Sequence, residues 1–138
     1  MSDSSTHPTP ESLARFAALP DDQVIHMINF LKYRDLAEYP EGHEHAGKGW
    51  SGRRAYAEYA ETLGPIFDRI GARMVWRAAY QTAVIGLEGE DWDDVLIAEY
   101  PDSKVFMAMV ADPEYQAVAV NRTAALADTR LIRTDPAT

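Results

Sequence analysis

From Gln23 to Lys32 nearly every side chain is apolar, and Val24, Ile25, Met27, Ile28, Phe30 and Leu31 occupy both alternating faces. A strand written this way has no face to give to water, so it belongs inside a sheet that is covered on both sides. This requirement selects a layered architecture with residues 23–32 as a central strand. Asn29, in phase with Met27 and Leu31, interrupts the run with an amide that needs hydrogen-bond partners, while His26 falls on the opposite face.

The rest of the chain supplies the layers. Thr9-Pro10-Glu11-Ser12 reads as an N-cap followed by proline at the first helical position, opening a short helix to about Leu19. Residues 33–50 are polar and broken by glycine and proline, which predicts a loop insertion. Ser51 then caps a helix whose apolar stripe is Tyr56, Tyr59, Ala60, Leu63, Phe67 and Ile70, with Pro65 expected to kink it and Gly71 to end it. Ala72 to Ala79 and Gln81 to Leu87 read as strand material. The acidic turn from Glu88 to Asp91 leads into a further strand from Asp94 to Tyr100. Asp102 or Ser103 caps a helix through Val110, and Pro113 restarts it with Tyr115, Val118, Ala119, Arg122 and Leu126 on one face. Thr129 to Thr134 is the last strand.

The βαββαβ order predicts an α+β, ferredoxin-like fold: a four-stranded antiparallel sheet with helices on one face and an extra N-terminal helix. The expected division is residues 1–22 as tail and short helix, and residues 23–134 as one domain carrying the insertion 33–50. The second sheet face, also apolar, predicts a homodimer, because an open apolar surface of that size aggregates.

Composition removes several function classes. A net charge of -9 opposes binding to nucleic acid or an anionic membrane, since both require a basic surface. The absence of cysteine rules out disulfides, thiolate nucleophiles and cysteine-type zinc sites. No apolar run approaches the roughly 20 residues of a membrane span. The polar start Met1-Ser2-Asp3-Ser4-Ser5 does not resemble a secretory signal, so a cytoplasmic location is expected.

Arg122 is the best lead to chemistry, because a guanidinium on an apolar helix face must meet a carboxylate, a ligand anion or water. Two readings follow. In the first, Arg122 and Arg77 stabilise a ligand anion, Glu99 or His26 transfers protons, and Asn29 orients the ligand. Tyr115 supplies a hydroxyl and Trp76 an aromatic wall. In the second, Arg122 and Glu99 are an internal ion pair of a non-catalytic structural or regulatory homodimer. Strict alternation puts Arg73 and Arg77 on one face of their strand and Trp76 on the other. His43 and His45 lie in a glycine-flanked loop without an evident third ligand, so no metal site is expected. Residues 47–54 lack phosphate-loop spacing, and the acidic turn lacks the calcium-loop pattern.

Gly71 and Arg73, Arg77, Trp92-Asp93, Glu99-Tyr100-Pro101, Asp112-Pro113-Glu114-Tyr115-Gln116 and Arg122, with Tyr56 and Tyr59 on the first domain helix, form a combination more specific than its parts. Over residues 24–134 the chain resembles the bacterial family called domain of unknown function 1330. It differs where that family often has paired glycines, at Gly71-Ala72 and Ala78-Ala79. The resemblance implies a dimeric α/β-barrel, with a cleft between sheet and helices in each subunit and no assigned activity. Relatives by fold include cofactor-independent monooxygenases, lactone isomerases and haem enzymes, so the fold alone selects no reaction. The expectation is a small-molecule-binding protein without cofactor, acting as a monooxygenase-like or isomerase-like enzyme on a small organic acid or carbonyl compound.

Overall fold

The computed structural model describes residues 6–136. In chain order its elements are α1 (Pro10–Ala17), β1 (Ile25–Tyr33), α2 (Gly52–Ile70), β2 (Arg73–Ala79), β3 (Asp94–Tyr100), α3 (Ser103–Ala111), α4 (Pro113–Ala125) and β4 (Leu126–Thr134). The strands form one sheet in the order β2-β3-β1-β4, and every neighbouring pair is antiparallel. This is the ferredoxin-like α+β arrangement, and β1 lies inside it as its two apolar faces require.

Local chemistry sets the boundaries. The Thr9 hydroxyl accepts from Ser12 N–H and the Ser12 hydroxyl accepts from Thr9 N–H, a reciprocal cap that starts α1. Ser51 caps α2, which runs unbroken through Pro65 and stops at Gly71, whose φ of 79° is left-handed. Asp102 caps α3, and Asp112 caps α4 with Pro113 at its first position.

Burial alternates along β1 and β3 with period two. Ile25, Met27, Asn29, Leu31 and Tyr33, with Asp94, Leu96, Ala98 and Tyr100, face the helices; there the apolar ones meet Tyr56, Tyr59, Leu63, Ile66 and Phe67 of α2 in the main core. His26, Ile28, Phe30, Val95, Ile97 and Glu99 point to the other face, which no helix among the described residues covers. Gly52 allows a close crossing at one end of this core. A Cβ there would sit 2.3 Å from the Arg34 carbonyl oxygen and 2.6 Å from that of Ala125, both backbone.

Two sequence expectations are corrected. Residues 81–87 are not strand: β2 ends at Ala79, and Val84, Ile85 and Leu87 stand exposed on a loop. A bulge between Met74 and Trp76 also breaks the alternation of β2. Arg73 pairs with Glu99 and Trp76 with Ile97 on the open face, whereas Arg77 pairs with Leu96 on the helix face. An extra residue inverts the phase of all that follows it.

Candidate functional site

Between the helix face of β1 and β4 and the helices α1, α3 and α4 lies a cleft of about 1060 Å³. Three of the residues read from the sequence meet there: Asn29, Tyr115 and Arg122. β1 aims Asn29 inward because the residue shares the parity of Met27 and Leu31. α4 presents Tyr115 and Arg122 on one side because seven residues make two helical turns. β4 brings Thr129 opposite Leu31, beside Asn29.

Arg122 Nη2 donates to Asn29 Oδ1 and to Thr129 Oγ1, each at 3.3 Å. Both acceptors are themselves fixed: Asn29 Nδ2 donates to the Met27 carbonyl at 3.3 Å, and Thr129 Oγ1 donates to the Phe30 carbonyl at 2.8 Å. The Tyr59 and Tyr115 hydroxyls lie 2.9 Å apart, and Tyr100 also lines the cleft. Among the described residues Arg122 makes no ion pair. Burial pushes the Tyr59 hydroxyl well above its usual range, with Tyr115 adding to the effect, and burial likewise raises Tyr56 and Tyr100. These phenols therefore stay neutral and do not balance the arginine. Burial opposes the charge of Arg122, but a guanidinium holds its proton too firmly to be neutralised by it, so the group remains charged. A guanidinium offers five N–H donors in a planar fork that matches a carboxylate, and both protein acceptors here are neutral.

The ion pair between Arg122 and Glu99 is overturned, because the two side chains lie on opposite faces of the sheet. Glu99 sits across from His26 on the open face, where its Oε1 is 2.9 Å from His26 Nε2. Arg73 donates to Glu99 from Nε at 3.0 Å and from Nη2 at 3.2 Å. Hydrogen bonding first to Arg73 and then to His26 holds the Glu99 carboxyl below its usual range, which weakens it as a base. Neither His26 nor Glu99 reaches what Arg122 would hold.

Arg77 and Trp76 also lie outside the cleft. Trp76 is on the open face. Arg77 donates to Asp94 Oδ2 at 2.9 Å and to the Tyr33 hydroxyl at 3.2 Å, and Tyr33 in turn donates to Asp94 Oδ2 at 2.5 Å. Burial works against the Asp94 charge, but Tyr33 and Arg77 outweigh it and hold the carboxyl below its usual range. The cluster staples β1, β2 and β3 together. Sequence reading missed it, because both parities of β3 carry apolar residues and one carboxylate, and only pairing with β1 turns Asp94 inward.

The insertion walls one side of the cleft, where Glu38 and Pro40 line it. Glu38 N–H donates to the Ala124 carbonyl at 2.9 Å, and the Tyr39 hydroxyl donates to Asn121 Oδ1 at 2.5 Å. His45 lies against Trp50, with ring centres 4.3 Å apart, and His43 stacks on Tyr39 at 4.8 Å. Among the described residues no group of three potential ligands could hold a metal ion, and no helix is long and apolar enough to cross a membrane.

The profile of the family described as "Domain of unknown function (DUF1330)" matches residues 50–134. A crystal structure of a protein of unknown function from Rhodopseudomonas palustris, RPA0582, is 38% identical over 99% of both chains, with a TM-score of 0.86. A dimeric ferredoxin-like protein of unknown function from Bacteroides fragilis is 14% identical, over 85% of this chain and 100% of its own, with a TM-score of 0.52. A putative antibiotic biosynthesis monooxygenase from Bacteroides thetaiotaomicron is 11% identical, over 83% of this chain and 90% of its own, also at 0.52. The last two share the fold alone. No curated protein matches the chain.

Proposed function

The chain belongs to the family described as domain of unknown function 1330, and since that name assigns no activity we propose a function from the cleft: the protein binds a small organic anion or carbonyl compound. The observation that carries this reading is Arg122, a charged guanidinium on the cleft wall that hydrogen-bonds to neutral acceptors, Asn29 and Thr129, while the carboxylates that also line the cleft, Glu38 and Asp128, pair with Arg34 and Arg130. The Tyr59–Tyr115 hydroxyl pair supplies a further donor beside the ligand. Negative charge developing on a bound carbonyl, as an enolate, would be stabilised by the same guanidinium. Cofactor-independent oxygenation and isomerisation both call for that stabilisation.

A homodimer through the open sheet face forms part of the same reading. Trp76 and Ile132 are 49% and 46% exposed there, beside Ile28, Phe30 and Ile97, and a second copy would cover them.

The test is thermal denaturation of the full chain with a panel of small carboxylates and their neutral amides. Carboxylates should raise the melting temperature of the parent and leave Arg122→Met unmoved. Equal responses of parent and variant, or none from any carboxylate, would contradict the reading.

A further inference from the structure

The cleft extends well beyond Arg122. Its far wall is apolar, made by Phe106, Met107 and Val110 of α3 and by Leu13 and Phe16 of α1. α1 is an amphipathic helix whose apolar stripe turns to the cleft, yet none of its residues is buried, and Leu13 is 38% exposed. The helix is held at one end. The Phe16 ring lies 5.3 Å from that of Phe106, and the Arg133 guanidinium stacks over Phe16 at 4.9 Å. Arg133 also donates to the backbone carbonyls of Phe16 and Pro20, at the C-terminal end of α1 where the helix dipole favours a cation. The N-terminal end of α1 has no comparable tie among the described residues. An apolar stripe that faces an open cleft without filling it lacks a partner that the fold itself does not supply.

We infer that α1 is a lid that selects amphiphilic organic carboxylates: the carboxylate sits at Arg122, and the apolar body lies under Leu13 and Phe16 against α3. This rests on the reading of Arg122 as the anion anchor. The added claim concerns the tail of the ligand and the helix that closes over it. A small acid would meet Arg122 alone, whereas a longer one would also remove the apolar stripe of α1 from water.

The test is calorimetric titration of the full-length protein with acetate, butanoate, hexanoate and octanoate, and with octanamide as the uncharged control. In the parent, affinity should rise by about fourfold for each methylene added beyond butanoate, the gain expected for full burial, and octanoate should bind more tightly than octanamide. In Phe16→Ala and Leu13→Ser the chain-length gain should flatten, while acetate and butanoate bind as in the parent. Leu13→Ser should melt as the parent does, whereas Phe16→Ala gives up the contacts with Phe106 and Arg133 and should melt lower, so the two variants together separate loss of the lid from loss of stability. In Arg122→Met the preference for octanoate over octanamide should vanish, with the chain-length gain retained. An unchanged chain-length gain in both lid variants would overturn the lid and leave the anion anchor standing. An unchanged preference for octanoate over octanamide in Arg122→Met would overturn the anchor itself.

Discussion

Arg122 reaches from α4 to Asn29 at the centre of the sheet, 3.3 Å from Nη2 to Oδ1, and among the described residues finds no carboxylate to pair with. Removing it therefore strands no buried anion. Arg122→Met should fold, losing the hydrogen bonds to Asn29 and Thr129 while relieving the desolvation of a charge. The cost of the orphaned Asn29 oxygen is bounded at about 1–3 kcal/mol. Equilibrium unfolding in urea checks this, and a loss well beyond that range would mean the guanidinium holds the fold together.

Asp94 is a different case, since its carboxylate serves Tyr33 and Arg77 at once. Asp94→Asn should destabilise the protein by roughly 1.5–3 kcal/mol, the range for a hydrogen bond to a charged group. Ligand response at Arg122 should be retained, because the cluster lies outside the cleft. A denaturant midpoint together with a ligand titration separates the two effects.

Acid stability follows from the same carboxylates. Asp94 and Glu99 both have folded-state values below the ordinary 3.8 and 4.5. The stability they contribute is complete above those ordinary values and is lost as pH falls through the depressed ones. Melting temperature should therefore fall on the acid side, and Asp94→Asn should flatten that limb. An acid limb of the same steepness in the variant would place the effect elsewhere.

Gly52 tests the packing that sets one end of the core. A side chain there meets backbone of Arg34 and Ala125, which cannot rotate away. Gly52→Ala should cost at least the 1–3 kcal/mol typical of overpacking, whereas alanine at Gly64, where no atom lies within 4 Å of the added Cβ, should be tolerated.

The open face makes its own prediction. Trp76→Glu leaves the monomer core untouched but puts a charge where the second copy would sit. The parent should sediment as a dimer and the variant as a monomer. A monomeric parent at the same concentration would sink the dimer.

The sequence was legible where the signal is local. Ser51, Gly71 and Pro113 mark helix ends through the hydrogen bonds and backbone angles they allow and act as read, and of the two caps left open for α3 it is Asp102 that serves. β1 announced its central place because both of its faces are apolar. Apart from the loop at residues 81–87, whose sequence reads as strand, the failures are phase errors. β3 is apolar on both faces, so its alternation does not say which parity turns inward; only pairing with β1 puts Glu99 beside His26 and away from Arg122. The bulge in β2 has no glycine to mark it, and it moved Arg77 and Trp76 to faces opposite those expected. Thr129 entered the site through strand register, which no local pattern encodes.

Whether Arg122 anchors an organic anion is decided by a crystal structure of the protein grown with octanoate. The carboxylate should lie within hydrogen-bond distance of the Arg122 guanidinium, in the cleft beside Asn29 and Thr129. A cleft that stays empty while octanoate binds elsewhere, or a ligand whose carboxylate points away from Arg122, would contradict it.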